Sequence, residues 1–344
     1  MTAEPAHEKE KVAGPVAHRF CVAPMLDRSD RHARYFWRLL TRRAILYTEM
    51  VTTGALIHAE PARFLAFDAC EQPLALQLGG SEPDAMAHCA RLAEAWGYAE
   101  ININVGCPSD RVQSGRFGAC LMAEPERVAA CVAAMQAAVS IPVTVKTRIG
   151  IDDQDSEAEL HTFIRTVQAA GCRTFIVHAR KAWLQGLSPR ENREIPPLDY
   201  PRVYRLKAAF PELEIILNGG IANLAAAQAH LQQVDGVMLG RAAYEHPSLL
   251  ASVDQDIFNE PGPPAPPAAI VMEYLPYIER QLAQGVPLTH LTRPLIGLFH
   301  NRPGAKQWRR ILSEQAPRPG ADTQVVLDAL AQITDRIPTT QESL

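Results

Sequence analysis

Between residues 19 and 241 the chain alternates two hydrophobic periods. Short apolar runs rich in β-branched residues read as strands: RFCVAPM (19–25), AILYTEM (44–50), PLALQL (73–78), EININV (100–105), PVTVKTR (142–148), RTFIVH (173–178), LEIILN (213–218) and DGVMLG (235–240). Stretches with apolar residues three and four apart lie between them, at 83–96, 125–139, 156–169 and 222–233. The second of these opens EPERV, with Pro and acids in its first turn, as helix starts do. Eight strand–helix units in this length of chain fit a closed (β/α)8 barrel. The rival, an open doubly wound sheet, usually carries a GxGxxG turn after its first strand. Here that strand runs into Ala23-Pro24-Met25-Leu26-Asp27, which has no glycine. The pattern predicts an α/β fold, a (β/α)8 TIM barrel followed by a small C-terminal helical domain.

The flanks divide accordingly. Residues 1–17 are polar, contain proline and lack the apolar core of a signal peptide, so they read as a flexible N-terminal tail. Residues 18–259 form the expected barrel. The run EPGPPAPPA (260–268) reads as a stiff Pro-rich linker, and 269–344 as helices broken by prolines, ending in a loose tail.

Composition narrows the function classes. With 47% hydrophobic and 21% charged residues the chain has ample material for a core. No uncharged apolar run is long enough to span a bilayer, so no membrane role is expected. The 7 cysteines are scattered and never form CxxC, which argues against a disulfide framework and a zinc site. A reduced, cytoplasmic, metal-free protein is the expectation. The formal net charge of -4 gives no hint of a polyanionic partner, but it hides an asymmetry. Between residues 280 and 313 stand Arg280, Arg293, Arg302, Lys306, Arg309 and Arg310 without one acid.

Candidate chemistry clusters at the strand ends, which in this fold share one face. They carry Gln77, Asn102, Asn104, Lys146, Arg148, His178, Asn218 and Gly240-Arg241. A polar residue closing an apolar run often marks only the end of a strand, but so many on one rim point to a ligand site. Gly219-Gly220 and Gly240-Arg241 close the last two strands, where barrels commonly bind phosphate through backbone amides. Arg241 adds a charged donor. Cys107 sits in the Gly-flanked loop NVGCPS (104–109), unlike Cys131 on an apolar helix face or Cys21 inside a strand. Most cysteines are inert filler, but a thiol at the mouth can donate a proton.

These residues resemble the flavin-dependent tRNA-dihydrouridine synthases. The likeness runs from about residue 18 to about 315 through VAPM (22–25), ALQLGG (75–80), NINVGCPS (102–109), VKTRIG (145–150), IVHAR (176–180), NGGI (218–221) and LGRAA (239–243). The segment 178–200 is similar to the A-type subgroup, which acts on D-loop uridines 20 and 20a. The resemblance implies FMN as cofactor and NADPH as electron donor. Ala23, Pro24 and Met25 would line the flavin, Gln77 would hydrogen-bond its ring, and Lys146 and His178 would sit at its polar edge. Asn218, Gly219, Gly220, Gly240 and Arg241 would hold its ribityl phosphate. Cys107 would be the catalytic acid, protonating uridine C5 after hydride reaches C6 from flavin N5. Asn104, Arg148, Arg190 and Arg193 would touch tRNA, and so would Lys306, Arg309 and Arg310 of the acid-free stretch. A monomer is expected.

Three alternatives stay open at this point. A flavin barrel reducing a free pyrimidine-like molecule would have no use for the basic C-terminal stretch. An aldolase-like barrel would use Lys146 as a Schiff base. A catalytically inactive RNA-binding protein would need neither Cys107, Lys146 nor His178.

Overall fold

The structure, a computed structural model, describes residues 17–333. The expected tails therefore lie almost entirely outside the described residues. Eight parallel strands close into a barrel in sequence order: β1 Phe20–Val22, β2 Ile45–Thr52, β3 Leu74–Gly79, β4 Glu100–Val105, β5 Val143–Arg148, β6 Thr174–His178, β7 Glu214–Asn218 and β8 Gly236–Leu239. β1 closes the ring by pairing with β8 through Cys21 and Met238.

Alternation along each strand sorts the core into two layers. Cys21, Ala23, Ile45, Tyr47, Ala75, Ile176, Ile216 and Met238 pack together as an inner cluster. Their neighbours Val22, Leu46, Leu74, Leu76, Val177 and Leu217 join the larger core shared with the helices. Both faces are buried, which is why the strands read as continuous apolar runs.

The helices follow local rules. Pro83–Trp96 has Pro at its first turn and ends on Gly97 at φ 91, a left-handed position that favours glycine. Glu157–Ala169 starts in a reciprocal capping box between Ser156 and Glu159. Leu224–His230 is shorter than its periodicity suggests, starting at the Asn223 cap. The helix Arg31–Leu40 does not advertise itself as an apolar pattern because it buries two arginines. Arg34 pairs with Glu71 at 2.7 Å, and the Arg38 guanidinium donates to the carbonyls of Thr41, Ala44, Glu71 and Pro73.

Past the barrel, the expected linker is shorter than its proline content suggests. Pro267 opens a helix, Pro267–Ala283, so only the residues before it run irregularly. That helix bolts onto Arg31–Leu40 through aromatic rings. Tyr35 stacks on Tyr277 at 3.8 Å, and His32 Nδ1 lies 2.7 Å from the Tyr277 hydroxyl. The shorter helices Leu288–Thr292, Ala305–Gln315 and Thr323–Leu330 complete the C-terminal unit. No helix of the described residues is long and apolar enough to cross a membrane.

Candidate active site at the barrel mouth

β4 ends by turning on its own side chain. Asn104 Oδ1 accepts the backbone N–H groups of Gly106 at 3.1 Å and Cys107 at 2.9 Å, folding the loop back over the strand end. Two further straps hold that loop. Arg148 Nε donates to Gly106 O at 2.8 Å, and Ala119 N donates to Cys107 O at 2.9 Å. Gly118 lies at φ 77, where a Cβ would come 2.5 Å from Cys107 O. The half-buried thiol lies 3.6 Å from Ser109 Oγ, at the mouth as expected.

Across the mouth, register brings Asn104 level with Lys146, and His178 level with both Arg148 and Asn218. Lys146 Nζ donates to Asn218 Oδ1 at 2.9 Å, and Asn218 Nδ2 donates to Met238 O at 2.8 Å. Burial pushes the Lys146 amine down to about 7, helped by the Arg148 charge and opposed by Cys107. Burial also pushes His178 well down, with Arg148, Lys146 and Arg180 adding to the effect, so its ring stays neutral. His178 Nδ1 is buried and has no partner of hydrogen-bond geometry among the described residues.

The eighth strand meets the first at this rim. Ala23 N donates to Leu239 O at 2.8 Å, and a Cβ placed on Gly240 would lie 3.5 Å from Met25 Sδ. Pro24 and Met25 are half-buried there. Gly219 and Gly220 have φ values of 115 and 69. A Cβ on Gly219 would stand 3.3 Å from His178 Nε2, and one on Gly220 would stand 2.5 Å from Leu198 Cδ1. The backbone of this turn is free for close approach only because it lacks side chains.

The loop after β6 arches beside these groups. Asn192 is fully buried and ties it together, bonding Trp183 N, Trp183 O and Leu187 O. Arg190 and Arg193 are exposed on it. Glu194 accepts from Arg241 Nη1 at 3.0 Å and lies 3.5 Å from Arg190 Nε. Arg241 thus reaches the site already engaged, a relationship no local motif signals.

Three expected residues sit deeper than the rim reading implied. Arg148 is 4% exposed, and its guanidinium also donates to Lys181 O and Asn192 O at 3.1 Å, which places it beneath the loops rather than on an RNA-facing surface. Asn102 is wholly buried inside the barrel, donating to Thr144 Oγ1 at 2.8 Å, and takes no part in the rim. Gln77 is also interior, with its amide engaged by Asn102 and Asn104.

The basic stretch forms a separate surface. On Ala305–Gln315 the residues Ala305, Trp308 and Leu312 are buried, and Trp308 Nε1 donates to Leu295 O at 3.0 Å. That leaves Lys306 and Arg310 exposed and Arg309 half-exposed on the outward side. Among the described residues no cluster of His, Cys, Asp and Glu could hold a metal ion.

The residue types at the mouth fit a flavin nucleotide. A buried amine near neutrality, an unpartnered buried imidazole nitrogen and a turn of two left-handed glycines match an electron-rich ring bearing a phosphorylated chain.

This chain is similar to known proteins over most of its length. The family model described as dihydrouridine synthase (Dus) matches residues 21–334. A Vibrio cholerae protein named tRNA-dihydrouridine(20/20a) synthase is 62% identical over 316 residues, covering 92% of this chain and 96% of that one. A Salmonella typhi protein of the same name is 61% identical over 321 residues, covering 93% and 96%. Among solved structures, a 2-naphthoyl-CoA reductase in complex with 2-naphthoyl-CoA is similar in fold, with a TM-score of 0.55 at 12% identity, covering 69% of this chain and 50% of that one.

Proposed function

This chain belongs to the dihydrouridine synthase family of oxidoreductases, and from that premise we propose that it reduces tRNA uridines 20 and 20a to 5,6-dihydrouridine using FMN and NADPH. The relatives' names support the positions. The observation that carries the chemistry is Cys107, held by Asn104 and Arg148 at the same mouth as the buried Lys146.

On this reading the holding residues divide the mouth between them. Ala23, Pro24 and Met25 bound one side, Lys146, His178 and Asn218 the polar edge, and Gly219, Gly220, Gly240 and Arg241 the phosphate end. FMN held by these residues would supply the hydride for uridine C6, with NADPH as the electron donor. Cys107 delivers its Sγ proton to C5, completing addition of H2 across the double bond, and recovers a proton from solvent. Lys146 places a positive charge beside any group that gains electrons, and negative charge there favours its ammonium form. Asn104 positions both the Cys107 backbone and the base, while Arg190 and Arg193 face the RNA. A uridine in a loop is already partly unstacked, which lowers the cost of turning it into the mouth.

Lys306, Arg309 and Arg310 contribute sequence-independent affinity for the phosphate backbone.

The deciding experiment is anaerobic. The protein is reduced with NADPH, excess nucleotide is removed, and unmodified tRNA is added while the visible band of oxidised flavin is followed. Return of the band with tRNA but not with free uridine is the expected result. A flavin that tRNA leaves reduced would favour reduction of a free small molecule, and a colourless protein unable to take up FMN would overturn the cofactor assignment.

A further inference from the structure

The barrel interior holds a polar chain that the chemistry at the mouth does not use. At its base Glu100, fully buried, receives Tyr47 OH at 2.8 Å, Thr144 Oγ1 at 2.6 Å and His18 Nε2. His18 Nδ1 lies 2.8 Å from Glu214 Oε2. Burial alone would lower the imidazole, but Glu100 and Glu214 outweigh it and push it up to about 10. His18 is therefore charged at neutral pH, with a proton on each nitrogen.

The carboxylate gives the chain a direction. A carboxylate only accepts, so the one Thr144 proton points down to Glu100. Thr144 Oγ1 must then accept from above, and Asn102 Nδ2 donates to it at 2.8 Å. Asn102 Oδ1 is left to accept Gln77 Nε2 at 2.8 Å, and Gln77 Oε1 accepts Asn104 Nδ2 at 2.8 Å. Asn104 Oδ1 closes the chain on the N–H groups of Gly106 and Cys107, which can only donate. Both ends demand the same sense. Flipping one amide would set two oxygens or two N–H groups against each other in a buried space, where each unsatisfied group costs about 1–3 kcal/mol.

We propose that Glu100, Thr144 and Asn102 are positioning residues that lock Gln77 and Asn104 as hydrogen-bond donors toward whatever occupies the mouth. Each of those two amides spends one N–H inside the chain and keeps one without a partner among the described residues. The mouth then addresses carbonyl oxygens, such as those of a flavin or uracil ring, and disfavours amino groups. The identity of these ligands rests on the functional reading above; the direction of the chain does not.

Two measurements test it. A neutron structure of the parent protein is expected to show Gln77 Nε2 facing Asn102, and the reverse orientation overturns the proposal. Thr144→Val removes the hydroxyl at nearly constant shape, whereas Thr144→Ser keeps it. The Val variant should bind FMN about tenfold more weakly and alkylate Cys107 with iodoacetamide at a rate about tenfold changed, the scale of one lost buried hydrogen bond. The Ser variant should stay within about twofold of the parent on both counts. A folded Val variant that matches the parent on both counts also overturns the proposal. If that variant does not fold, the neutron result on the parent decides alone. If the parent binds no FMN, the functional reading fails, while amide orientation and Cys107 alkylation still decide the chain.

Discussion

Asn104 Oδ1 accepts the Cys107 backbone N–H at 2.9 Å, so the side chain that closes β4 holds the thiol that follows it. Because that bond is made to the main chain, Cys107→Ala keeps it and removes only the sulfur. The variant should purify yellow, with FMN affinity unchanged, while turnover on tRNA falls about 10²–10⁴-fold, the usual contribution of a positioned acid. Turnover equal to the parent's would remove Cys107 from the acid role.

Lys146 gives a pH test with a defined sign. Burial lowers its amine to about 7 in the folded, cofactor-free protein, against about 10.4 in an unfolded chain. Below pH 7 both states carry the proton, and the buried charge destabilises the fold in full. Between these two values the unfolded chain holds a proton the folded one lacks, so stability rises with pH. Lys146→Met should therefore be more stable than the parent by the largest margin below pH 7, with the margin closing toward about pH 10. Urea denaturation of both cofactor-free proteins across this range checks it, since groups common to both, such as His18, largely cancel. A margin independent of pH would contradict the assignment.

Arg148 spans three carbonyls, those of Gly106, Lys181 and Asn192, and so ties the Cys107 loop to the loop after β6. A lysine keeps the charge but cannot reproduce the planar fork. Arg148→Lys should cut tRNA turnover about tenfold or more and speed proteolysis within 181–193, because a lost bond from a charged donor costs about 1.5–3 kcal/mol. Parent-like kinetics together with an unchanged cleavage pattern would mean the tie is dispensable.

Charge reversal of Arg309 and Arg310 to Glu addresses the remote surface. Binding of tRNA should weaken, and its dependence on salt should become shallower by about one unit of slope for each phosphate no longer neutralised. Oxidation of NADPH by oxygen should not change, since neither residue is at the mouth. Affinity titrations at several salt concentrations measure both, and an unmoved slope would place the RNA elsewhere.

The architecture was legible because barrel strands are short, covered on both faces and separated by helices of standard period. All eight strand segments fall where the hydrophobic pattern put them, within a few residues at their ends. The cluster at the mouth was legible for a related reason. Parallel strands end on one face, so polar residues closing apolar runs are brought together by topology alone, as Cys107, Lys146, His178 and Asn218 are. The helix Arg31–Leu40 was harder to see, because its buried arginines lean on Glu71 and Pro73, which only the folded chain brings near.

What the sequence determined by itself was the set of periodic segments, the side of the barrel that carries the chemistry and the residue types gathered there. What the tertiary structure alone decided was how those groups are engaged. Arg148 became an internal tie, Arg241 was drawn to Glu194, and Asn102 joined a one-way chain running from Glu100 to Cys107. These bonds join residues dozens of positions apart, and hydrogen bonds depend on distance and direction in space. Periodicity along the chain carries no information about either.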